Sequence, residues 1–212
     1  MNRLNLEKLA KGFVSHDELR PALMGAFYDI KRDALVVTDG HKLFVLKSLG
    51  DHITIIMNDK DFKGSPILPV EILAEYEKRT KGYSLEKCRE FCRLLITGKG
   101  TNEDLFFAEY QEDKNGKGFK TYAGAECIDE NYPDYEAVIP TKEDLGEVDA
   151  IAINPVYLHQ IWLAVKSWDN RAAPAVRLLF KNEIAPVIVE LFSPEVETFN
   201  YTCLITPVRL PN

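Results

Sequence analysis

Asp39 and His41 stand two residues apart. On a strand that spacing turns both side chains to one face, the least that a carboxylate–imidazole acid–base pair needs. Gly40 lies between them, and Asp-Gly is also a turn signal in which the carboxylate caps backbone amides. A small hydrolase using Asp39 and His41 is therefore carried as an alternative. No Gly-x-Ser-x-Gly elbow accompanies the pair. Cys88 and Cys92 are four apart and would share a face of a helix. The four histidines, at 16, 41, 52 and 159, are too scattered to complete a metal site with them. Buried thiols are the expectation, and no metal or cofactor is expected. Asn58 to Gly64 and Asp113 to Gly118 have the acid content of calcium loops but lack the alternating ligands and the closing Glu. Gly98-Lys99-Gly100-Thr101 holds the letters of a phosphate loop without its spacing. No enzyme is read from these residues.

The elements that would position them belong to an ordinary globular chain. It has 212 residues, 46% of them hydrophobic and 28% charged, with a net charge of -7. Disorder and fibrous repeats are excluded, and so is a simple basic nucleic-acid module. Four cysteines do not make a disulfide scaffold. The start has no signal-peptide core, and no run approaches the roughly 20 apolar residues of a membrane span. A soluble cytoplasmic protein is expected.

Helices are predicted over Leu4 to Val14, Val70 to Arg79, Ser84 to Cys92, and from Asn154-Pro155 to about Trp168. Asn154 and Pro155 fit the cap and first-turn positions of the last of these. Strand runs are Leu23 to Ile30, Ala34 to Thr38, Leu43 to Leu46, Ile53 to Ile56, Leu94 to Thr97, Leu105 to Tyr110, Phe119 to Ala125, Val148 to Ile153, Val176 to Phe180, Val187 to Phe192 and Tyr201 to Val208. The pattern is a repeated unit of strand, helix and three strands, with no opening strand evident in the first unit. Helices this few cannot cover both faces of a parallel sheet. The fold class is α+β, with antiparallel sheets and helices on one face. Two units fill residues 1–130, an acidic Pro-containing linker spans 131–146, and one unit fills 147–212.

Three stretches carry a family resemblance. Leu35-Val36-Val37-Thr38-Asp39-Gly40-His41-Lys42-Leu43, Tyr132-Pro133-Asp134-Tyr135-Glu136-Ala137-Val138-Ile139-Pro140, and Thr206-Pro207-Val208-Arg209-Leu210 resemble, in the same order, three motifs of the bacterial sliding clamp, the beta subunit of DNA polymerase III. Arg20-Pro21-Ala22-Leu23-Met24-Gly25-Ala26 fits the strand before the first motif. The resemblance covers the clamp's middle domain and the second half of its last domain, so the chain is similar to a truncated clamp. Ala137 stands where the family carries a basic residue, and Thr206 replaces a usual Met.

The resemblance implies a noncatalytic DNA polymerase processivity factor, or a replication and repair module that captures short linear peptides. Its alternative is a clamp-fold adaptor that does not encircle DNA and competes for clamp-binding partners. The implied hydrophobic pocket is Leu23, Thr38, Gly40, His41, Lys42, Leu43, Pro133, Val138, Leu204, Pro207, Val208, Arg209 and Leu210, with Lys42 and Arg209 as a positive rim. The implied partners are DNA polymerase or repair proteins, double-stranded DNA contacted without sequence reading, and further copies of the chain. DNA-contact candidates are Arg3, Lys8, Lys11, Lys78, Arg79, Lys81, Lys166 and Arg171, diluted by Glu7, Glu71, Glu75 and Glu77.

Overall fold

Leu6, Leu9, Ala10 and Phe13 recur at helical spacing and all four are buried, which orients the first helix, α1 (Leu6–Phe13). The Asn5 side chain caps it by accepting the Lys8 N–H at 2.8 Å. A computed structural model describes residues 5–57, 65–96, 105–113, 116–146, 151–168, 176–191 and 201–209. The runs Asn58 to Gly64 and Gly98 to Thr101, the centre of the 113–118 turn, residues 147–150, Arg3, Arg171 and Leu210 lie outside them.

After α1 come β1 (Ala26–Asp29), β2 (Ala34–Thr38), β3 (Lys42–Lys47), β4 (Ile55–Met57) and β5 (Ile67–Leu68). Then follow α2 (Val70–Arg79), α3 (Leu85–Phe91), β6 (Cys92–Ile96), β7 (Leu105–Asp113) and β8 (Gly116–Ala125). The third unit is α4 (Pro155–Trp168), β9 (Val176–Leu179), β10 (Val187–Leu191) and β11 (Tyr201–Ile205). Two sheets result, with orders β5-β1-β2-β3-β11-β10-β9 and β4-β6-β7-β8. All pairings are antiparallel except β4 with β6.

Each sheet of the first two units borrows a strand from the other. The β5 strand, which opens the second unit, pairs with β1. In return β4, which closes the first unit, pairs with β6. Ile67 also bridges Ile128, just past β8. The longer sheet crosses into the third unit through β3 and β11, with Leu43 opposite Leu204. Residues 131–146 link the two parts in sequence, and hydrogen bonding across β3 and β11 joins them in space.

Period-two alternation sends the two faces of this sheet to different cores. Leu35, Val37, Phe44, Leu46, Val187, Val189, Tyr201, Cys203 and Ile205 face the helices. The helices form one layer there, with α1 packed against both α2 and α4. Ala34, Val36, Leu43, Val45 and Leu204 face the other way, beneath Tyr132, Tyr135 and Ile139. The 131–146 segment is thus a covering layer, with short 3-10 turns at Glu136–Val138 and Lys142–Asp144.

Several expectations shift by local chemistry. The run from Leu23 opens as a 3-10 turn, Pro21–Met24, because Pro21 presets φ, and β1 starts only at Ala26. Cys88 and Cys92 do not share a helix. Helix α3 ends at Phe91 and Cys92 begins β6, both thiols being buried. Ile151 to Ile153, expected in a strand, carries no strand assignment. Among the described residues no helix is long and apolar enough to cross a membrane.

Candidate peptide-binding site

Register partners in an antiparallel sheet place their side chains on one face. Leu179 is opposite Ile188, Ile188 opposite Leu204, Leu204 opposite Leu43, and Leu43 opposite Thr38. One row therefore crosses five strands, β9-β10-β11-β3-β2, on the face away from the helices. A second row, Thr202, Val45, Val36 and Phe27, runs beside it.

The covering segment is tied to the second row. The Tyr132 ring stacks on Phe27, with centroids 4.6 Å apart and planes at 6°. Its hydroxyl donates to the Val36 carbonyl at 3.4 Å. Tyr135 donates to Asp29 Oδ2 at 2.8 Å. Burial pushes both phenols up, and for Tyr135 the adjacent Asp29 charge adds to it. Burial also acts to raise Asp29, but the bonds from Tyr135 and Arg32 outweigh it and hold the carboxyl below its ordinary value. Arg32 in turn reaches Glu136 on the covering segment. Pro133 and Val138 on this segment are exposed, Val138 at 48%.

The turn between β2 and β3 is built by its own side chains. Thr38 Oγ1 donates to the Lys42 carbonyl at 2.7 Å and accepts the Gly40 N–H at 3.0 Å. Gly40 has φ +88°, the left-handed region that favours glycine. Asp39 Oδ1 accepts the His41 and Lys42 amides at 2.9 and 3.0 Å, and its Oδ2 takes the Lys42 ammonium. The hydrolase alternative is corrected here. Asp39 is the cap of a turn, and the His41 ring lies parallel to Tyr157 instead, 6.5 Å away.

The structure brings Thr38, Leu43 and Leu204 into the row. It sets His41, Pro207 and Val208 at one end, where the Thr206 N–H donates to the His41 carbonyl at 2.7 Å and the Val208 N–H to Ala152 at 2.8 Å. Val208 and Arg209 are exposed. Leu23 is buried but belongs to neither apolar cluster. Lys42 does not rim this face. Alternation points it to the helix side, where its ammonium sits 5.3 Å from the Tyr157 ring and 5.7 Å from Phe13. Sequence reasoning missed Ile188, half-buried between Leu179 and Leu204. The run Val187-Ile188-Val189 is apolar on both faces and gave no local signal, so Ile188 joins the row only through the strand pairing.

The floor of this face is full, with Leu43 at 4% and Leu204 at 2% exposed. Val138, on the covering segment, and Val208, three residues past β11, carry exposed apolar surface. A separate polar cleft of about 350 Å³ opens on the helix side, lined by Lys11, Ser15, His16, Asp17, Arg20, Asp39, His41, Lys42 and Gln160 among others.

No family model matches the chain, and no curated sequence matches it. Solved structures do. The chain is similar to the DNA polymerase sliding clamp of Pseudomonas aeruginosa, with 12% identity and a TM-score of 0.59 over 97% of this chain and 64% of that one. It is similar to DNA polymerase III subunit beta of Borrelia burgdorferi, with 17% identity and a TM-score of 0.54 over 98% and 60%. The beta subunit from Streptococcus pyogenes gives 15% identity and a TM-score of 0.57 over 97% and 64%. This chain has the fold of a bacterial sliding clamp. It spans less than two thirds of the clamps it matches. Clamps from Bartonella birtlesii and Pseudomonas aeruginosa were solved bound to griselimycin.

Set in the clamp fold, the candidate DNA-contact residues fall on one helix layer. Lys8, Lys11, Lys78, Arg79, Lys81 and Lys166 are all exposed on or beside α1, α2 and α4. Acids partner several of them. Lys11 binds Glu7 at 2.6 Å, and Glu75 holds Arg79 at 2.6 Å and Lys78 at 3.4 Å. Glu77, by contrast, is buried. Lys166 lies 4.5 Å from the Trp162 ring.

Proposed function

We propose that this chain is a noncatalytic, clamp-fold module of DNA replication or repair that captures short linear peptides of DNA polymerases and repair proteins. The observation that carries the reading is the convergence of three distant motifs on one sheet face. The Thr38–Leu43 turn, the Tyr132–Val138 segment and the Leu204–Arg209 end meet across β2, β3 and β11. The row of buried Leu43 and Leu204 with half-buried Ile188 gives a rigid apolar floor, and Val138 and Val208 offer apolar anchors beside it. Arg209 supplies positive charge for a peptide carboxylate; Lys42 does not.

Titration of a labelled clamp-binding peptide, with griselimycin as competitor, tests this. Wild type is expected to bind, and Val138→Asp and Val208→Asp to bind at least tenfold more weakly with unchanged melting. Equal binding by all three proteins refutes the pocket.

A second reading is an adaptor that captures the same peptides without encircling DNA. It is favoured by the acids paired with the helix-layer cations, which reduce the field available to phosphates. Retention on circular but not on linear duplex DNA separates the two, since only a closed ring is lost from free ends.

A further inference from the structure

Pro133 and Val138 bound a short stretch, residues 133–138, in which only Tyr135 is buried. Apolar contact anchors the chain on either side of it. Tyr132 is stacked on Phe27, and Ile139 packs against the apolar cluster of the same sheet face. Within the stretch, Asp134 Oδ1 accepts the Glu136 and Ala137 amides at 3.1 and 3.4 Å. The Ile139 amide donates to the Glu136 carbonyl at 3.1 Å. These bonds give the turn its shape, but they do not fix where it lies against the sheet.

Among the described residues, two side chains of the stretch make polar links to the sheet, and both reach the turn that follows β1. The Tyr135 hydroxyl donates to Asp29 Oδ2 at 2.8 Å, and Glu136 is paired with Arg32. Asp29 is itself held by that turn. Its Oδ1 accepts the Lys31 and Arg32 amides at 3.1 and 3.3 Å, and its Oδ2 accepts from the Arg32 guanidinium at 3.1 Å. The acceptor is therefore set by bonds within three residues of itself. The covering segment has only to bring one hydroxyl to a carboxylate already in place.

We infer that Asp29 and Tyr135 are positioning residues for peptide capture, which fix the 133–138 stretch so that Val138 stands ready beside the apolar floor. The inference rests on the peptide-capture reading above. Asp29 is 5% exposed and Tyr135 8%, too buried for a peptide to reach, so both act through the placement of Val138. A stretch held in one place before binding has no ordering cost left when the peptide arrives. Without the hydroxyl the stretch samples other placements, and only the fraction with Val138 in place is competent. Apparent affinity falls by that fraction. The loss lies in the association rate, because the complex once formed makes the same contacts. A side chain that touches the peptide does the reverse and changes mainly the dissociation rate.

Stopped-flow binding of a labelled clamp-binding peptide to the full chain tests this, with hydrogen exchange of the free protein beside it. Tyr135→Phe is expected to slow association about fivefold, the worth of one hydrogen bond, and to leave dissociation within about twofold of wild type. Val138→Ala is expected to speed dissociation and leave association alone. In free Tyr135→Phe, the amides of residues 136–139 should exchange faster while those of β2 and β3 keep their protection. A merely structural role for Tyr135 would speed exchange in β2 and β3 as well. Should Tyr135→Phe misfold, Glu136→Ala decides, since Glu136 is exposed and carries the second link. It is expected to slow association about twofold by the same route. Association that is unchanged in the variants, a loss carried by dissociation, or exchange that rises equally in β2 and β3 overturns the inference alone. A wild type that binds no peptide overturns the capture reading and this inference with it.

Discussion

The Glu77 carboxylate accepts the backbone N–H of Leu6 at 2.8 Å, so the second helix caps the first. Both residues are buried, Glu77 at 5% and Leu6 at 1% exposed. Asn5 satisfies the Lys8 amide of the same first turn. A buried amide in the first turn of one helix is therefore satisfied from another helix, 71 positions away.

Removing that acceptor strands a buried amide. Glu77→Ala is expected to lower stability by about 1–3 kcal/mol, the cost of a buried donor left without its bond. Glu77→Gln keeps an oxygen in reach and is expected to lose less. Urea denaturation of the three proteins measures the order.

Acid should weaken the fold in two stages. Burial lowers His52 below its ordinary 6.5, with Asp51 opposing part of the shift. The unfolded chain thus takes up this proton first, and stability falls as pH drops below about 6.5 toward the depressed folded value. Asp29, whose carboxyl is also held low in the folded state, adds a second loss below the ordinary carboxylate range of about 4. Melting temperatures from pH 8 to pH 3 check both. His52→Leu should flatten the first stage and leave the second.

Two glycines predict opposite signs. A Cβ on Gly25 would lie 2.7 Å from both Ile67 Cγ2 and Ile128 Cδ1 and 2.8 Å from the Leu68 carbonyl oxygen. Gly25→Ala is therefore expected to cost about 1–3 kcal/mol by overpacking the β1–β5 edge. Gly12, inside α1, has nothing within 4 Å of its added Cβ. Gly12→Ala should stabilise by roughly 0.5–1 kcal/mol through the chain entropy removed. Thermal melts of the two variants make the comparison.

Contact between the helix layer and duplex DNA would be carried by its cations. Lys8→Glu with Lys166→Glu should shorten retention on duplex DNA and flatten its salt dependence. Retention that is unchanged by these charges, or absent in wild type at low salt, argues for the adaptor reading.

Local elements were legible in the sequence where a local signal was strong. Helix α2 and strand β2 fall at the expected bounds, one opened by Pro69 and the other closed by the Asp39-Gly40 turn. Strand β5 went unseen because two residues between prolines carry no periodicity. The direction of Lys42 was hidden for a different reason. Residues 42–46 are buried on both faces, so no alternation of polar and apolar types told which face each serves. The three motifs pointed to the site, yet the five-strand row that joins them depends on β3 pairing with β11, and no local pattern encodes that register. Ile188 entered the site only through it.

That pairing has a cost in time. Leu43 meets Leu204, so the middle of the long sheet is assembled from strands far apart in the chain. During synthesis β3, with Leu43, Phe44, Val45 and Leu46 in a row, leaves the ribosome long before its neighbour β11. Until then one edge of an apolar strand stands open to whatever other strand it meets, and closing it requires a long loop to be drawn shut. Yield of folded protein should therefore depend more on how slowly the nascent chain is crowded by its neighbours than on the stability it finally reaches.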